Sequence, residues 1–326
     1  MFVNGRIDEF CDWYDTDGNV INASDGGMIY VEGRYYWYGM ALRPIGFAAE
    51  GKGGQTTTTG VVMYSSEDLE NWKYEGVVLK CSQDPDSELY GPMRFERPKI
   101  IYCENTKKFV LWCHYVRRPG DHTYAPGAAE AGVASCDRVN GEYQWHGHTR
   151  PVDEEGAVRD CTVYQDRDGS AYFIYDRDLE SGRGRNRCLH AVKLSEDYLS
   201  FTQEYKRLEE AFWREAAAVV FHDGYYFMIT SDLTGWDFNQ AKYFRARNIM
   251  GPWEDMGDPY VEDVTKTSFH SQGTFIFRVQ GKEDIYIYMA ERHNTADFLH
   301  CSYIWLPVLF TEEHGLKLEY AERWSL

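Results

Sequence analysis

The chain has no run of 18 apolar residues, so no segment is long and apolar enough to cross a bilayer as a helix. It is also short of positive charge. Lys and Arg number 34 against 52 Asp and Glu, a formal net charge of −18. A surface of that sign repels phosphate backbones, which excludes nucleic acid as a partner, and it gives no attraction to anionic membranes. There is no nucleophile elbow, no phosphate-binding Walker loop, no HExxH and no Cys/His zinc spacing. The eight cysteines are irregularly spaced without a CxxC, and several, such as Cys103 and Cys113, fall within apolar stretches. They read as buried thiols of a reducing compartment. The first residues, MFVNGRIDEFCDWYD, lack a basic region followed by an apolar one. They are therefore not read as a signal peptide, and a cytoplasmic location is expected. No 3.6-residue apolar periodicity persists beyond a turn or two.

Aromatic residues are abundant, 16% of the chain with 25 tyrosines, and aromatic enrichment favours strands. A hairpin-like unit recurs five times: an apolar stretch, a polar turn, then an aromatic stretch. The copies are GGMIYVEGRYYWYGM (26–40), ERPKIIYCENTKKFVLWCHY (96–115), RDCTVYQDRDGSAYFIYD (159–176), WREAAAVVFHDGYYFMITS (213–231) and SQGTFIFRVQGKEDIYIYMAE (271–291). Several are followed by polar stretches read as third strands: 65–76, 134–147, 195–205 and 248–258. Four antiparallel strands per unit at this spacing is the signature of a propeller blade. The predicted fold is all-β: a five-bladed β-propeller, residues 1–326 forming a single domain. The stretches 46–60 and 117–132 read as insertions on a rim.

In a propeller the first strand of each blade lines the central channel, so the residues at its head converge on one mouth. Those heads are Asn22-Ala-Ser-Asp25, Arg94-Phe-Glu96-Arg97-Pro98, Arg159-Asp160, Arg214-Glu215 and His270-Ser271-Gln272. Three carry a carboxylate beside an arginine. A single such pair is ordinary as a rim ion pair; three at equivalent places suggest shared chemistry. Guanidinium neighbours favour the charged carboxylate, while crowded carboxylates push one another's pKa upward. That conflict keeps one acid protonated near neutral pH, as glycoside hydrolysis requires. Trp236, in the TGWD loop (234–237), and Tyr124, in the 117–132 insertion, are candidates for stacking on a sugar face, and Arg97 for holding Glu96 or substrate.

These stretches, GGMIYVEGRYYWYG, FERPKIIY, RDCTVYQDRDGSAYFIY, REAAAVVFHDGYYFMITS with TGWD, and SQGTFIF, resemble glycoside hydrolase family 43. Within it they look like the exo-β-1,3-galactanase-like subfamily. The resemblance implies an inverting, exo-acting hydrolase that releases galactose from β-1,3-linked galactan or galacto-oligosaccharide. It implies Glu215 as general acid, Asp160 as the carboxylate that raises its pKa, and Glu96 as a holder of sugar hydroxyls. Gln272 takes the place of the base, since this subfamily lacks the usual Asp in the first blade. Asn22 and Asp25 lie near that position as substrate-binding candidates. If Gln272 only hydrogen-bonds, Asp25 or Glu96 remains as base. Similar galactanases read YWYGE where this chain has Met40, which leaves an α-L-arabinofuranosidase or a β-xylosidase as alternatives; the missing Asp base leaves a non-catalytic carbohydrate-binding propeller as another. No cofactor is required. The resemblance admits a calcium ion at the channel centre, although the chain has no calcium loop.

Overall fold

The computed structural model describes residues 1–43, 57–91, 94–116, 129–152, 156–179 and 187–326. A two-residue strand, β1 (Phe2–Val3), precedes five sheets. The first sheet holds β2 (Ser24–Val31), β3 (Arg34–Arg43), β4 (Thr57–Ser66) and β5 (Lys73–Lys80). The second holds β6 (Arg94–Cys103), β7 (Lys108–Val116), β8 (Glu130–Cys136) and β9 (Gln144–Thr149). The third holds β10 (Gly156–Gln165), β11 (Ala171–Leu179), β12 (Cys188–Leu194) and β13 (Phe201–Phe212). The fourth holds β14 (Arg214–His222), β15 (Tyr225–Asp232), β16 (Lys242–Ala246) and β17 (Glu254–Gly257). The fifth holds β18 (Gln272–Arg278), β19 (Tyr286–Arg292), β20 (Ser302–Phe310) and β21 (Leu316–Leu318). Each sheet is antiparallel in chain order. The first strands touch in a closed ring, β2–β6–β10–β14–β18 and back to β2, so the five sheets are the blades of one propeller.

Turn chemistry sets the register. Glu32-Gly33 and Asp223-Gly224 have φ of 49° and 88°, and 45° and 79°, two positive values in succession as a two-residue hairpin turn needs. They pair Val31 with Arg34 and His222 with Tyr225. Five apolar cores lie between neighbouring blades, for example Val110, Trp112, Phe173 and Val192 between the second and third. Both faces of a blade are therefore covered, which is why β7 is buried along nearly its whole length instead of alternating.

Two expectations need correction. The polar stretches 65–76, 134–147, 195–205 and 248–258 are not third strands. They cover the connection from third to fourth strand with part or all of the fourth, the first two also taking in the last residues of β4 and β8, while the third strands themselves are the more apolar β4, β8, β12 and β16. Residues 57–60 and 130–132, assigned to rim insertions, are the first residues of β4 and β8. The cause is burial: a third strand sandwiched between blades carries apolar residues, and polarity marks the outer loop.

The ring is closed at the termini. β1 pairs with β22 (Arg323–Trp324), and Phe2 stacks on Trp324 with centroids 4.3 Å apart. Asn4 is fully buried. Its side chain donates to the carbonyls of Trp305 and Ala321, each at 2.9 Å, and accepts from the Trp305 amide at 3.0 Å. Asn4→Ala strands these buried backbone groups. Unfolding free energy is expected to fall by about 1–3 kcal/mol, read as a lower urea midpoint; an unchanged midpoint would show that closure does not depend on this contact.

Candidate functional site

Each inner strand breaks register at its head: between Ser24 and Gly27, Glu96 and Lys99, Val158 and Cys161, Glu215 and Ala218, and Gly273 and Phe275. These are β-bulges, which re-aim side chains near active sites. Asp25, Arg97 and Ala216 sit in them with φ of 55°, 50° and 57°, a region that costs a non-glycine residue about 1–3 kcal/mol. Pro98 fits there because a bulge needs no ladder N–H. In a regular strand consecutive side chains face opposite ways. With the bulges, Glu96 and Arg97 both reach the channel mouth, as do Arg159 and Asp160.

There they enclose a cavity of about 230 Å³. Seven of the predicted residues line it: Asp25, Glu96, Arg97, Asp160, Glu215, Trp236 and Gln272. Asn22 does not. Its amide donates to the Leu42 carbonyl and accepts from the Leu42 N–H at 2.8 and 2.9 Å, tying β3 to the segment before β2. Tyr124 lies outside the described residues. The channel's other end opens into a larger space of about 920 Å³, walled mainly by Met28, Ile100, Val163, Val219 and Ile276. Its carboxylates, Asp223 and Asp284, are exposed, so size does not select the chemistry.

Arg97 is at the centre and 2% exposed. Its Nε lies 2.9 Å from Asp160 Oδ2, and one terminal nitrogen lies 3.7 Å from Asp25 Oδ1. It also donates to the Gly273 carbonyl at 2.9 Å and to Gln272 Oε1 at 2.6 Å. Burial opposes its charge, but Asp160 and Asp25 more than restore it and raise its pKa.

The two glutamates are pushed in opposite directions. Burial and the nearby charges of Asp160 and Asp176 raise the Glu215 pKa well above the ordinary range, against Arg187 and Arg97. Arg187 lies 3.4 Å from Glu215 Oε2 and also binds Asp176, with Nε to Oδ2 at 2.7 Å. Asp176 is itself raised to about 6 by burial, with Arg187 opposing. Burial also acts on Glu96, yet there Arg94 at 2.7 Å and His114 at 2.8 Å win and hold its carboxyl below the usual range. One acid keeps its proton while the other is charged, the division of labour acid–base catalysis needs.

Beneath the cavity lie Asp25, Glu291 and His293, buried, each offering an atom within 4.8 Å of the others. Calcium takes 6–8 oxygen ligands. Here both Glu291 oxygens accept from Ser24 Oγ, and one also accepts from the Asp25 N–H. Among the described residues Asp25 Oδ1 and His293 Nε2 have no hydrogen-bond partner, and they face each other at 3.5 Å. Arg97 stands beside Asp25, and the buried Lys99 ammonium donates to the Asp25 carbonyl at 3.0 Å. With the Glu291 oxygens taken by hydroxyl and amide donors and Arg97 3.7 Å from Asp25, the cluster offers fewer free oxygens than a calcium ion takes. Burial and Arg97 bring the Lys99 pKa down to about 7.

Trp236 forms one wall. Its ring meets His293 and Phe298 edge-on, with centroids 4.7 and 5.1 Å away, and it packs on a cluster of Met40, Leu42, Phe298 and Cys301. Met40 is therefore wholly buried behind this wall. All eight cysteines are free thiols. Sequence reading missed His114, Asp176, Arg187 and Ser231. The hairpin register held a signal for two of them: His114 lies opposite Glu96 and Ser231 opposite Glu215.

The profile for "Glycosyl hydrolases family 43" matches residues 19–314. No curated protein matches. Among solved structures, a family 43 β-1,3-galactosidase holding galactodeoxynojirimycin is 31% identical, covers 100% of both chains and superposes with a TM-score of 0.85. A second family 43 β-1,3-galactosidase gives the same identity and TM-score, but this chain spans 63% of its length. An exo-β-1,3-galactanase from Clostridium thermocellum is 32% identical with a TM-score of 0.82, covering 98% of this chain and 65% of that one. One from Phanerochaete chrysosporium, solved with β-1,3-galactotriose, is 27% identical with a TM-score of 0.82, covering 100% of this chain and 68% of that one.

The Glu215 shift has a consequence for stability. In the unfolded chain a glutamate titrates near about 4.3, and in the fold this one titrates higher. Its contribution to stability is complete below the unfolded value and is lost as pH rises through the folded one. Glu215→Gln removes that loss. The melting temperature of the variant relative to wild type is expected to climb steadily from acidic to alkaline pH; a difference independent of pH would mean that Glu215 is not held protonated.

Proposed function

The chain belongs to glycosyl hydrolases family 43, and from that premise we propose that it is an inverting, exo-acting glycoside hydrolase. Its substrate in this reading is a β-1,3-linked galactan or galacto-oligosaccharide, from which it releases galactose. The observation that carries the reading is the pair of buried glutamates, driven apart in pKa within one cavity. Protonated Glu215 gives its proton to the leaving glycosidic oxygen as the bond to the anomeric carbon breaks. Asp160 and Asp176 supply the negative field that keeps that proton in place beforehand. Charged Glu96 accepts hydrogen bonds from sugar hydroxyls. On the opposite side the oxygen of a water held by Gln272 bonds to the anomeric carbon; the amide oxygen takes that water's proton while the amide nitrogen gives one up to solvent, and a solvent proton then restores Glu215. Arg97 holds Gln272 and Asp160 in relation to each other. Trp236 offers an apolar face to the ring.

Two features support the finer parts. A cavity of about 230 Å³ is below the roughly 300–1,000 Å³ of sites for drug-sized ligands, which suits one terminal sugar and hence exo action. A retaining enzyme needs a second carboxylate as nucleophile, whereas the group placed with Arg97 on the fifth blade is an amide. The structural neighbours named for β-1,3-galactosidase and β-1,3-galactanase activity support the sugar and the linkage.

Hydrolysis of β-1,3-galactotriose followed by proton NMR tests this. Galactose of α configuration is expected as the first product. The β anomer first, or galactobiose without galactose, would overturn the stereochemistry or the exo action, and turnover of only β-xylosides or α-L-arabinofuranosides would overturn the sugar. Glu215→Gln is expected to lower kcat by about 10²–10⁴-fold, with a smaller loss on an aryl galactoside whose leaving group needs no proton. Exhaustive treatment with EDTA is expected to leave kcat unchanged, because the Asp25, Glu291 and His293 cluster offers too few free oxygens for calcium; a metal-restorable loss would refute that.

A further inference from the structure

The amide of Gln272 is held at both ends. Its oxygen accepts from the Arg97 guanidinium at 2.6 Å, and its nitrogen donates to the Ser231 hydroxyl at 2.7 Å. A guanidinium carries donors only, so the amide cannot be turned round; the reverse orientation would set donor against donor. Ser231 is fixed in turn. It is buried in β15, lies directly opposite Glu215 of β14, and donates its own proton to the Asp232 carbonyl at 3.2 Å. A single hydroxyl is thus in register with the acid and hydrogen-bonded to the group across the cavity from it.

We propose that Ser231 is a positioning residue for the water side of the reaction, setting the plane of the Gln272 amide. This rests on the reading of Gln272 as the group that receives the attacking water. An amide oxygen accepts in two directions, and Arg97 fills one. Once the nitrogen is anchored on Ser231, the second direction is fixed too, on a side chain that lines the cavity. Without the hydroxyl, the terminal torsion of glutamine has a broad, shallow preference. The amide then swings about its Arg97 contact and the water loses its line to the anomeric carbon. Misplacing a reacting group by about 1 Å costs on the order of 10²-fold in rate. Glu96, which holds sugar hydroxyls, is untouched, so ground-state binding stays.

The test compares Ser231→Ala, Ser231→Thr and Ser231→Val with wild type. The substrates are 4-nitrophenyl β-D-galactopyranoside, β-D-xylopyranoside and α-L-arabinofuranoside, so that a wrong sugar assignment does not hide the comparison. Alanine and valine are expected to lower kcat about 10–100-fold with KM within about two-fold, while threonine, which keeps the hydroxyl on a strand position that tolerates branching, recovers most of the rate. The isosteric threonine and valine pair decides the matter should alanine fail to fold. In a Gln272→Ala background, Ser231→Ala is expected to cost nothing more, because residues acting as a unit are not additive. Wild-type kcat in both hydroxyl-less variants, or an undiminished loss in the Gln272→Ala background, overturns the role of Ser231 alone. Gln272→Ala at the wild-type rate, or a wild type that turns over none of the three glycosides, brings down the reading on which it rests.

Discussion

A buried guanidinium holds the channel mouth together. Arg97 projects from the second blade and meets Asp160 of the third, Gln272 and Gly273 of the fifth and Asp25 of the first. Taking a cation out of water costs several kcal/mol unless it is paired and hydrogen-bonded, so none of these partners is dispensable while the arginine stays in place. The pairing fixes the relative positions of four blades where the substrate would bind. It also sets the electrostatic frame: Asp160, which neutralises Arg97, is also one of the two carboxylates whose field raises Glu215.

From that frame two identical side chains acquire opposite chemistry. Glu96 and Glu215 are both buried at the heads of inner strands, so desolvation presses both toward the neutral form. Glu96 has a guanidinium and an imidazole within 2.8 Å and becomes charged. Glu215 has its arginine at 3.4 Å, already engaged by Asp176, and two carboxylates for company. The residue type decides little here; the neighbouring charges decide it. The bulges make the arrangement feasible, and three of them carry non-glycine residues in left-handed conformations. That strain is tolerated because the surrounding interblade cores are dense with aromatics such as Trp37, Trp112 and Trp305, each with no exposure.

Much of this was legible in the chain. The five hairpin copies and their polar turns gave the blade count, because a blade is one repeating unit that buries itself on its neighbours. The heads of the first strands held six of the seven predicted residues that line the cavity, Asp25, Glu96, Arg97, Asp160, Glu215 and Gln272, since the first strand of every blade leads to the same mouth; the seventh, Trp236, lies in the loop after β15. The errors have separate causes. Third strands were sought among polar stretches, but burial on both faces makes them apolar. Asn22 belongs to the head of the first blade's inner strand, near the place of the family's usual Asp, yet its amide turns to the backbone of Leu42.

The sequence by itself determined the class of fold, the repeat and which loop ends would gather, because periodicity and turn chemistry are local and accumulate over five copies. Tertiary structure alone decided which carboxyl keeps its proton, which cation stands beside which anion, and that Ser231 reaches Gln272 from a different blade. Those outcomes depend on distances of a few ångströms between residues up to 176 positions apart, and Coulomb and desolvation energies change steeply over that range. No spacing along the chain encodes such distances; only closure of the ring and the bulges at its mouth set them.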